Sequence, residues 1–180
     1  MKGVVFTEFL EMAEDRFTPE VVEQVLADSD LASGGAYTAI GTYDSRELEV
    51  ILGKLCAKVG AEPTALLREF GERLFGRFAE GYPMFFKDAQ NSFDFLQGVD
   101  RHIHVEVKKL YPDAELPKFD TMRSDASTLT LVYSSSRGLG DFAEGLIRGC
   151  ITHFKESIEV TPEDLSGGKK TNVRFTLQRR

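Results

Sequence analysis

Residues 98–112 read GVDRHIHVEVKKLYP, and they contain two of the three histidines of the chain. Apolar residues recur in and just before this stretch at steps of three and four, which predicts a helix with one apolar face. These residues are Leu96, Val99, Ile103, Val107 and Leu110. Pro112 is expected to end the helix, because proline cannot continue it.

The two histidines flank the centre of that apolar face. At about 100° per residue, His102 and His104 lie on opposite sides of Ile103. The helix neighbours of His104 are Asp100, Val107 and Tyr111, and those of His102 are Glu106 and Lys109. His104 is therefore the better candidate for a buried role, and His102 belongs to a solvated flank. A single histidine beside an apolar face is nevertheless more often an ordinary core or surface residue than a metal ligand.

Composition bounds the class of protein. The 180 residues are expected to form one domain, residues 1–180, with enough core to fold without disulfide bonds. Trp is absent but there are 14 Phe residues, which fits either a helical core or the lining of a large apolar pocket. The formal net charge is −7 and no basic stripe is visible, so a nucleic-acid partner is not expected.

The two cysteines and the N-terminus bear on location. Cys56 and Cys150 are isolated from each other in the sequence, which favours a reducing cytoplasm and offers no cysteine cluster for zinc. The segment after Cys150 contains no further cysteine, so no structural zinc is predicted. The N-terminus has no long apolar run, so neither a signal peptide nor a membrane span is expected.

Helical signals fill the first two-thirds of the chain. The predicted helices cover residues 3–16, 19–27, 48–59, 63–80 and 91–97. Thr18 is a typical cap with Pro19 at the first helical position, Asp44 opens a capping-type start, and Gly60 ends the third helix.

The pattern changes after Pro112. Residues 117–119 are expected to be extended, and residues 128–133, rich in β-branched and aromatic side chains, predict a strand. A helix over residues 138–153 and strands over residues 157–161 and 171–177 complete the chain. The fold class is therefore α+β: a helical N-terminal part followed by a small antiparallel sheet with one packed helix.

Tyr133, Ser135 and Arg137 form a second group of candidate functional residues. In an extended chain, residues two apart point to the same face, so two hydroxyls and a guanidinium would converge. Such a set suits a carboxylate or a phosphate. Taken alone, the pattern is better explained as the end of a strand with a solvated arginine.

Together, the histidine, the anion-binding trio and the abundant phenylalanines suggest one ligand. Haem has an iron for the histidine, carboxylates for the trio and a large apolar body for the phenylalanines. The chain resembles the H-NOX family, the haem nitric oxide/oxygen-binding domains that include the haem domain of soluble guanylate cyclase. The resemblance is carried by the start Met1-Lys2-Gly3, the run HVEVKKLY at residues 104–111, Pro117 and the YxSxR pattern at residues 133–137.

The resemblance implies a role for each of these residues, and it extends over essentially the whole chain. The family's proximal ligand precedes the tyrosine of the ligand helix by seven residues, which selects His104 and leaves His102 as a minor alternative. Tyr133, Ser135 and Arg137 would bind the propionates of haem b, and Pro117 would press on the porphyrin. The haem would be buried between the helical part and the sheet.

The gas-binding side is where the resemblance distinguishes subclasses. In dioxygen-binding members, a tyrosine five residues after the motif arginine donates a hydrogen bond to dioxygen, and here that position is Phe142. The other expected distal residues, Val5, Phe9, Leu74, Phe78 and Leu146, are also apolar. Because nitric oxide on ferrous iron needs a donor much less than dioxygen does, the sequence predicts a nitric oxide sensor that also binds carbon monoxide.

The family also implies how a signal would leave the protein. Nitric oxide would release His104 from the iron and free its helix, and a separate histidine kinase or cyclic-di-GMP enzyme would receive the signal. The protein is predicted to be a cytoplasmic, standalone bacterial sensor and not an enzyme. The alternatives are a dioxygen-binding H-NOX sensor and a haem-free module in which the Tyr/Ser/Arg trio holds a small anion.

Overall fold

The computed structural model describes residues 1–109 and 111–180 in full and residue 110 by its backbone. The helices are α1 (Gly3–Arg16), α2 (Pro19–Ala27), α3 (Ser45–Val59), α4 (Pro63–Gly81), a short 3₁₀ helix (Pro83–Phe86), α5 (Ser92–Gly98), a π-helix (Val99–Ile103), α6 (His104–Leu110) and α7 (Gly140–His153). The strands are β1 (Lys118–Arg123), β2 (Thr128–Ser134), β3 (Ile158–Asp164) and β4 (Asn172–Arg179). The α+β class predicted from sequence is confirmed.

Side chains at the helix ends explain why the predicted and observed boundaries nearly coincide. Thr18 accepts a hydrogen bond from the Val21 N–H at the start of α2. Asp44 accepts one from the Arg46 N–H at the start of α3. Gly60 ends α3 with a φ of 69°, a left-handed conformation that glycine adopts without steric cost.

The prediction of one continuous helix around the two histidines is wrong in one respect. Residues Val99–Ile103 form a π-helix between α5 and α6, and the His104 N–H donates to the Val99 carbonyl, five residues back. A wheel of 100° per residue therefore does not hold through this turn. π-turns are rare and tend to occur at functional sites, and spacing of apolar residues does not reveal them.

The sheet is antiparallel throughout, with strand order β1-β2-β4-β3. Alternate residues of β2 and β4 point to one face and are buried there: Leu129, Leu131, Tyr133, Val173, Phe175 and Leu177. Helix α7 covers this face with buried Ala143, Ile147, Cys150 and Ile151. The period-two alternation seen in the sequence thus makes the core on which the motif residues at the end of β2 rest.

Helices α4 and α7 are packed with backbone against backbone. A Cβ on Gly71 would overlap the carbonyl oxygen of Phe142, and one on Gly145 would overlap that of Arg68. Beside this contact, the carboxylate of Glu144, which is 1% exposed, bridges two guanidiniums. Arg68 Nη2 donates to it at 3.1 Å and Arg148 Nε at 2.8 Å. The spacing between the two helices is therefore fixed by glycine contacts and an ion-pair cluster.

Residues 1–66 and residues 67–180 form two compact units. In the first unit, the half-buried rings of Tyr37 and Tyr43 pack on buried Phe6. The carboxylate of Glu47, 8% exposed, accepts hydrogen bonds from Ser33 and from the Tyr37 hydroxyl. One domain over residues 1–180 stays a prediction. Among the described residues, no helix has both the length and the apolar character needed to cross a bilayer.

Candidate haem site

His104 is the first residue of α6, directly after the π-helix. Its side chain is 18% exposed, and its Nδ1 lies 2.7 Å from Oδ1 of Asp100, one turn earlier. The other carboxylate oxygen of Asp100 accepts the Phe119 N–H at 2.9 Å, at the start of β1. His102, in contrast, is exposed. The half-buried histidine is thus the one that has a carboxylate beside its ring.

The Asp100 carboxylate provides a test of whether His104 suits an iron ion. Its Oδ1 is buried and accepts no aligned hydrogen bond from any residue that the structure describes. A histidine that binds a metal through Nε2 carries its proton on Nδ1, and ligating histidines commonly donate that proton to a carboxylate. Ligation through Nε2 would therefore place the Nδ1 proton beside this oxygen, 2.7 Å away. The arrangement fits a haem ligand.

The protonation state of His104 points the same way. Burial lowers the pKa of this imidazole below its ordinary value, and it outweighs the opposing effect of the Asp100 carboxylate beside it. The neutral form, which is the form that binds metals, is therefore favoured near neutral pH.

Among the described residues, no group of three or more His, Cys, Asp or Glu side chains could hold a metal ion.

Tyr133, Ser135 and Arg137 meet through a turn and not along one extended face. Strand β2 ends at Ser134, and residues 136–137 turn, so the predicted extension through Arg137 is wrong. The Ser135 hydroxyl accepts the Arg137 N–H at 3.3 Å. Burial raises the pKa of the Tyr133 phenol, while a hydrogen bond with Ser135 and the Arg137 charge lower it. Two hydroxyls and one guanidinium are thus within reach of each other.

The Arg137 guanidinium also contacts the loop that follows α6. Its side chain is 13% exposed, and it pairs with the Glu115 carboxylate, which is 85% exposed. Pro117 is half-buried and immediately precedes β1. Two residues later, the Phe119 ring lies 6.1 Å from the His104 ring and 5.6 Å from the Tyr133 ring, measured between centroids. The predicted ligand and the predicted anion-binding trio therefore have a common neighbour.

On the predicted gas side, the structure places Phe142 near the start of α7, half-buried and stacked on Phe70 of α4 at 5.0 Å between centroids. Leu146 lies one turn further along α7 and is half-buried. Leu74 and Phe78 lie on α4, the first buried and the second half-buried. Val5 and Phe9 lie on α1 in the first unit, where Phe9 is buried and Val5 half-buried.

Sequence reasoning did not assign a function to two residues of this region. Asp100 was recognised only as a helix neighbour of His104, and its second contact, with Phe119, joins segments that sequence spacing does not relate. Glu115 was not identified at all. A carboxylate one helical turn before a candidate ligand was the available signal for Asp100, and no pattern indicated Glu115.

Known proteins resemble the chain over its full length. The sequence model of a family described as Haem-NO-binding matches residues 2–162. The structure of the Fe(II) unliganded H-NOX protein from K. algicida superimposes with a TM-score of 0.95 and 37% identity, covering 100% of this chain and 97% of that one. The IWP-051-bound H-NOX from Shewanella woodyi, in the Fe(II)CO state, gives 0.84 and 40%, covering 100% and 95%.

A more distant structure supports the fold alone. The H-NOX protein from S. oneidensis in the Fe(II)NO state is 23% identical, with a TM-score of 0.89 and coverage of 100% of this chain and 99% of that one. No curated protein matches the chain. The family match over residues 2–162, with close structural relatives over the full length, shows that this chain belongs to the H-NOX family of haem-binding gas sensors.

Proposed function

We propose that this protein senses nitric oxide at a ferrous haem b and signals to a separate protein when His104 is released. The observation that carries the proposal is the side chain of Phe142. It occupies the position at which dioxygen-binding relatives are expected to have a tyrosine, and it stacks on Phe70. A phenyl ring has no hydrogen-bond donor, so this position cannot stabilise the partial negative charge of bound dioxygen.

Each group of the site has a distinct task in this proposal. His104 would hold the iron, with its Nδ1 beside the Asp100 carboxylate. Arg137, Tyr133 and Ser135 bind the propionates, because a guanidinium and two hydroxyls supply the donors that carboxylates need. Pro117 presses on the porphyrin. When bound, haem would supply an iron ion that can take a diatomic gas such as nitric oxide as a ligand.

Ligand choice then depends on the side chains that face the gas. Phe142, Leu146, Leu74 and Phe78 offer only carbon atoms, and on α1 the proposal adds Val5 and Phe9. None of these side chains offers a donor, so nitric oxide and carbon monoxide, which need none, are favoured over dioxygen. Relatives are known in an Fe(II)NO state, from S. oneidensis, and in an Fe(II)CO state, from Shewanella woodyi.

Release of His104 is the proposed signal. The helix that bears it is short, His104–Leu110, and it directly follows a π-helix. The proposed receiver is a separate histidine kinase or cyclic-di-GMP enzyme, and the protein itself has no catalytic role. The two free cysteines favour the reducing cytoplasm as the place of action.

The direct test is visible spectroscopy of the purified ferrous protein. We expect a Soret band as expressed, no stable dioxygen complex in air, and, with nitric oxide, the spectrum of a haem that has lost its histidine. His104→Ala should lose the pigment unless imidazole is supplied in solution, whereas the matched change His102→Ala should retain it. Colourless protein from haem-supplied cells would favour the small-anion-binding module, and a stable oxy spectrum would favour the dioxygen sensor.

A further inference from the structure

We propose that Asp100 is a positioning residue that acts through His104, setting the strength of the iron–histidine bond and tying the ligand to strand β1. The inference rests on the proposed function, because it takes His104 as the iron ligand. It adds to that function a residue that determines how readily the ligand is released.

Asp100 contacts two segments of the chain with its two carboxylate oxygens. Oδ1 lies 2.7 Å from Nδ1 of His104, and Oδ2 accepts the N–H of Phe119 at 2.9 Å. The first contact spans four residues within the helical stretch, whereas the second spans nineteen residues and crosses the loop that contains Pro117. A single carboxylate therefore connects the helical stretch that contains His104 to β1, the first strand that follows it.

In the contact between His104 and Asp100, the imidazole would be the donor and the carboxylate the acceptor. With its proton on Nδ1, His104 would donate to a full negative charge, and a charge-assisted hydrogen bond of this kind raises the electron density on Nε2. A more basic Nε2 binds iron more strongly. Asp100 is thus expected to strengthen the bond that nitric oxide must weaken.

The second contact makes the carboxylate a mechanical link. Asp100 lies within the π-helix that precedes α6, and Phe119 lies in β1. If α6 moves away from the sheet, either the Asp100–His104 contact or the Asp100–Phe119 hydrogen bond must break. The centroid of the Phe119 ring lies 6.1 Å from that of His104 and 5.6 Å from that of Tyr133. The same movement would therefore change the packing of Phe119 against Tyr133, near the end of β2.

The two functions of the carboxylate can be separated by substitution. Asp100→Asn keeps an oxygen that can accept the Phe119 N–H but removes the charge beside Nδ1, whereas Asp100→Ala removes both contacts. Asp120→Asn is the matched control, because Asp120 lies on β1, is 60% exposed and pairs only with Lys118 among the ion pairs of the described residues.

The primary measurement is the iron–histidine stretching frequency of the ferrous, gas-free protein by resonance Raman spectroscopy. We expect a lower frequency in Asp100→Asn and in Asp100→Ala, and no change in Asp120→Asn. Haem transfer to apomyoglobin should be faster by roughly tenfold or more in both Asp100 variants, the range typical of lost partners of metal ligands. In haem-free protein, the Phe119 amide should exchange faster with solvent in Asp100→Ala only.

An unchanged iron–histidine frequency in both variants would overturn the proposal, even if the Phe119 amide responds, because Asp100 would then be only a structural tie. A frequency that rises would also overturn it. Failure of the proposed function has a different signature: His104→Ala would retain its pigment, and no histidine stretch would be found in the unaltered protein.

Discussion

Arg137 holds Glu115 by two hydrogen bonds, one from Nη1 to the backbone carbonyl at 2.8 Å and one from Nη2 to the carboxylate at 2.9 Å. These bonds fix the guanidinium at the end of the loop that links α6 to β1. Because each nitrogen still has a further N–H, the guanidinium can hold Glu115 and a propionate together.

Arg137 and Glu115 should differ greatly in their importance for haem retention. Arg137→Ala removes a nearly buried cation that is proposed to bind a propionate, and we expect haem loss to accelerate by roughly tenfold or more, as for other residues that support a metal centre. Glu115→Gln keeps the backbone contact and loses an exposed ion pair, which contributes at most about 1 kcal/mol, or about fivefold. Transfer of haem to apomyoglobin measures both, and equal effects would contradict this division.

Phe142→Tyr should move the protein toward dioxygen binding. The added hydroxyl supplies a donor on the proposed gas side, at a side chain whose backbone is held against Gly71. Aerobic spectra of the ferrous variant should show a longer-lived dioxygen complex than those of the unaltered protein. Phe142→Leu is the control, since it changes the shape of the wall without adding a donor, and a dioxygen complex in that variant would refute the explanation.

Gly145→Ala should destabilise the fold strongly. Its Cβ would overlap the Arg68 carbonyl oxygen and lie 2.9 Å from the Gly71 Cα, so backbone must shift. Overpacking of this kind costs about 1–3 kcal/mol or more. Gly76→Ala, on the open side of α4, meets nothing within 4 Å and should instead stabilise by up to about 1 kcal/mol. Urea unfolding of the two variants distinguishes a close contact from an ordinary helical glycine.

Tyr37 should make stability fall at high pH. Burial, followed by the hydrogen bond to Glu47, raises the pKa of this phenol to about 12 from its ordinary value of 10.0. A raised pKa means that the neutral phenol is favoured in the folded state, so its contribution is complete below pH 10 and declines from there to about pH 12. The difference in unfolding free energy between the unaltered protein and Tyr37→Phe should therefore shrink over that window. A constant difference would show that the phenol does not titrate differently on folding.

The elements of the fold were predictable because their signals are local. The side chains of Thr18 and Asp44 accept hydrogen bonds at helix starts, and Gly60 ends a helix by its left-handed backbone conformation. Both effects act within a few residues. Alternation in residues 128–133 identified β2, since one buried face imposes period two. His104 was preferred over His102 on its neighbours within a turn, and its role as the iron ligand stays a prediction.

What could not be predicted depends on contacts between distant residues or on rare geometry. The π-helix adds one residue to a turn without a change in apolar spacing. The turn at residues 136–137 brings Arg137 to Glu115, a residue that nothing in the sequence relates to the motif. The second contact of Asp100, with Phe119, depends on the path of the Pro117 loop.

The glycine contact between α4 and α7 has an evolutionary corollary. Where the backbones of α4 and α7 touch, the distance between the helices does not depend on the side chains nearby. The ring at position 142 could therefore be exchanged without a shift of the two helices. Under the proposed function, gas preference would then depend on the single residue at position 142. The glycines would be the invariant part of the sensor, and the residue beside them the part that selection is free to alter.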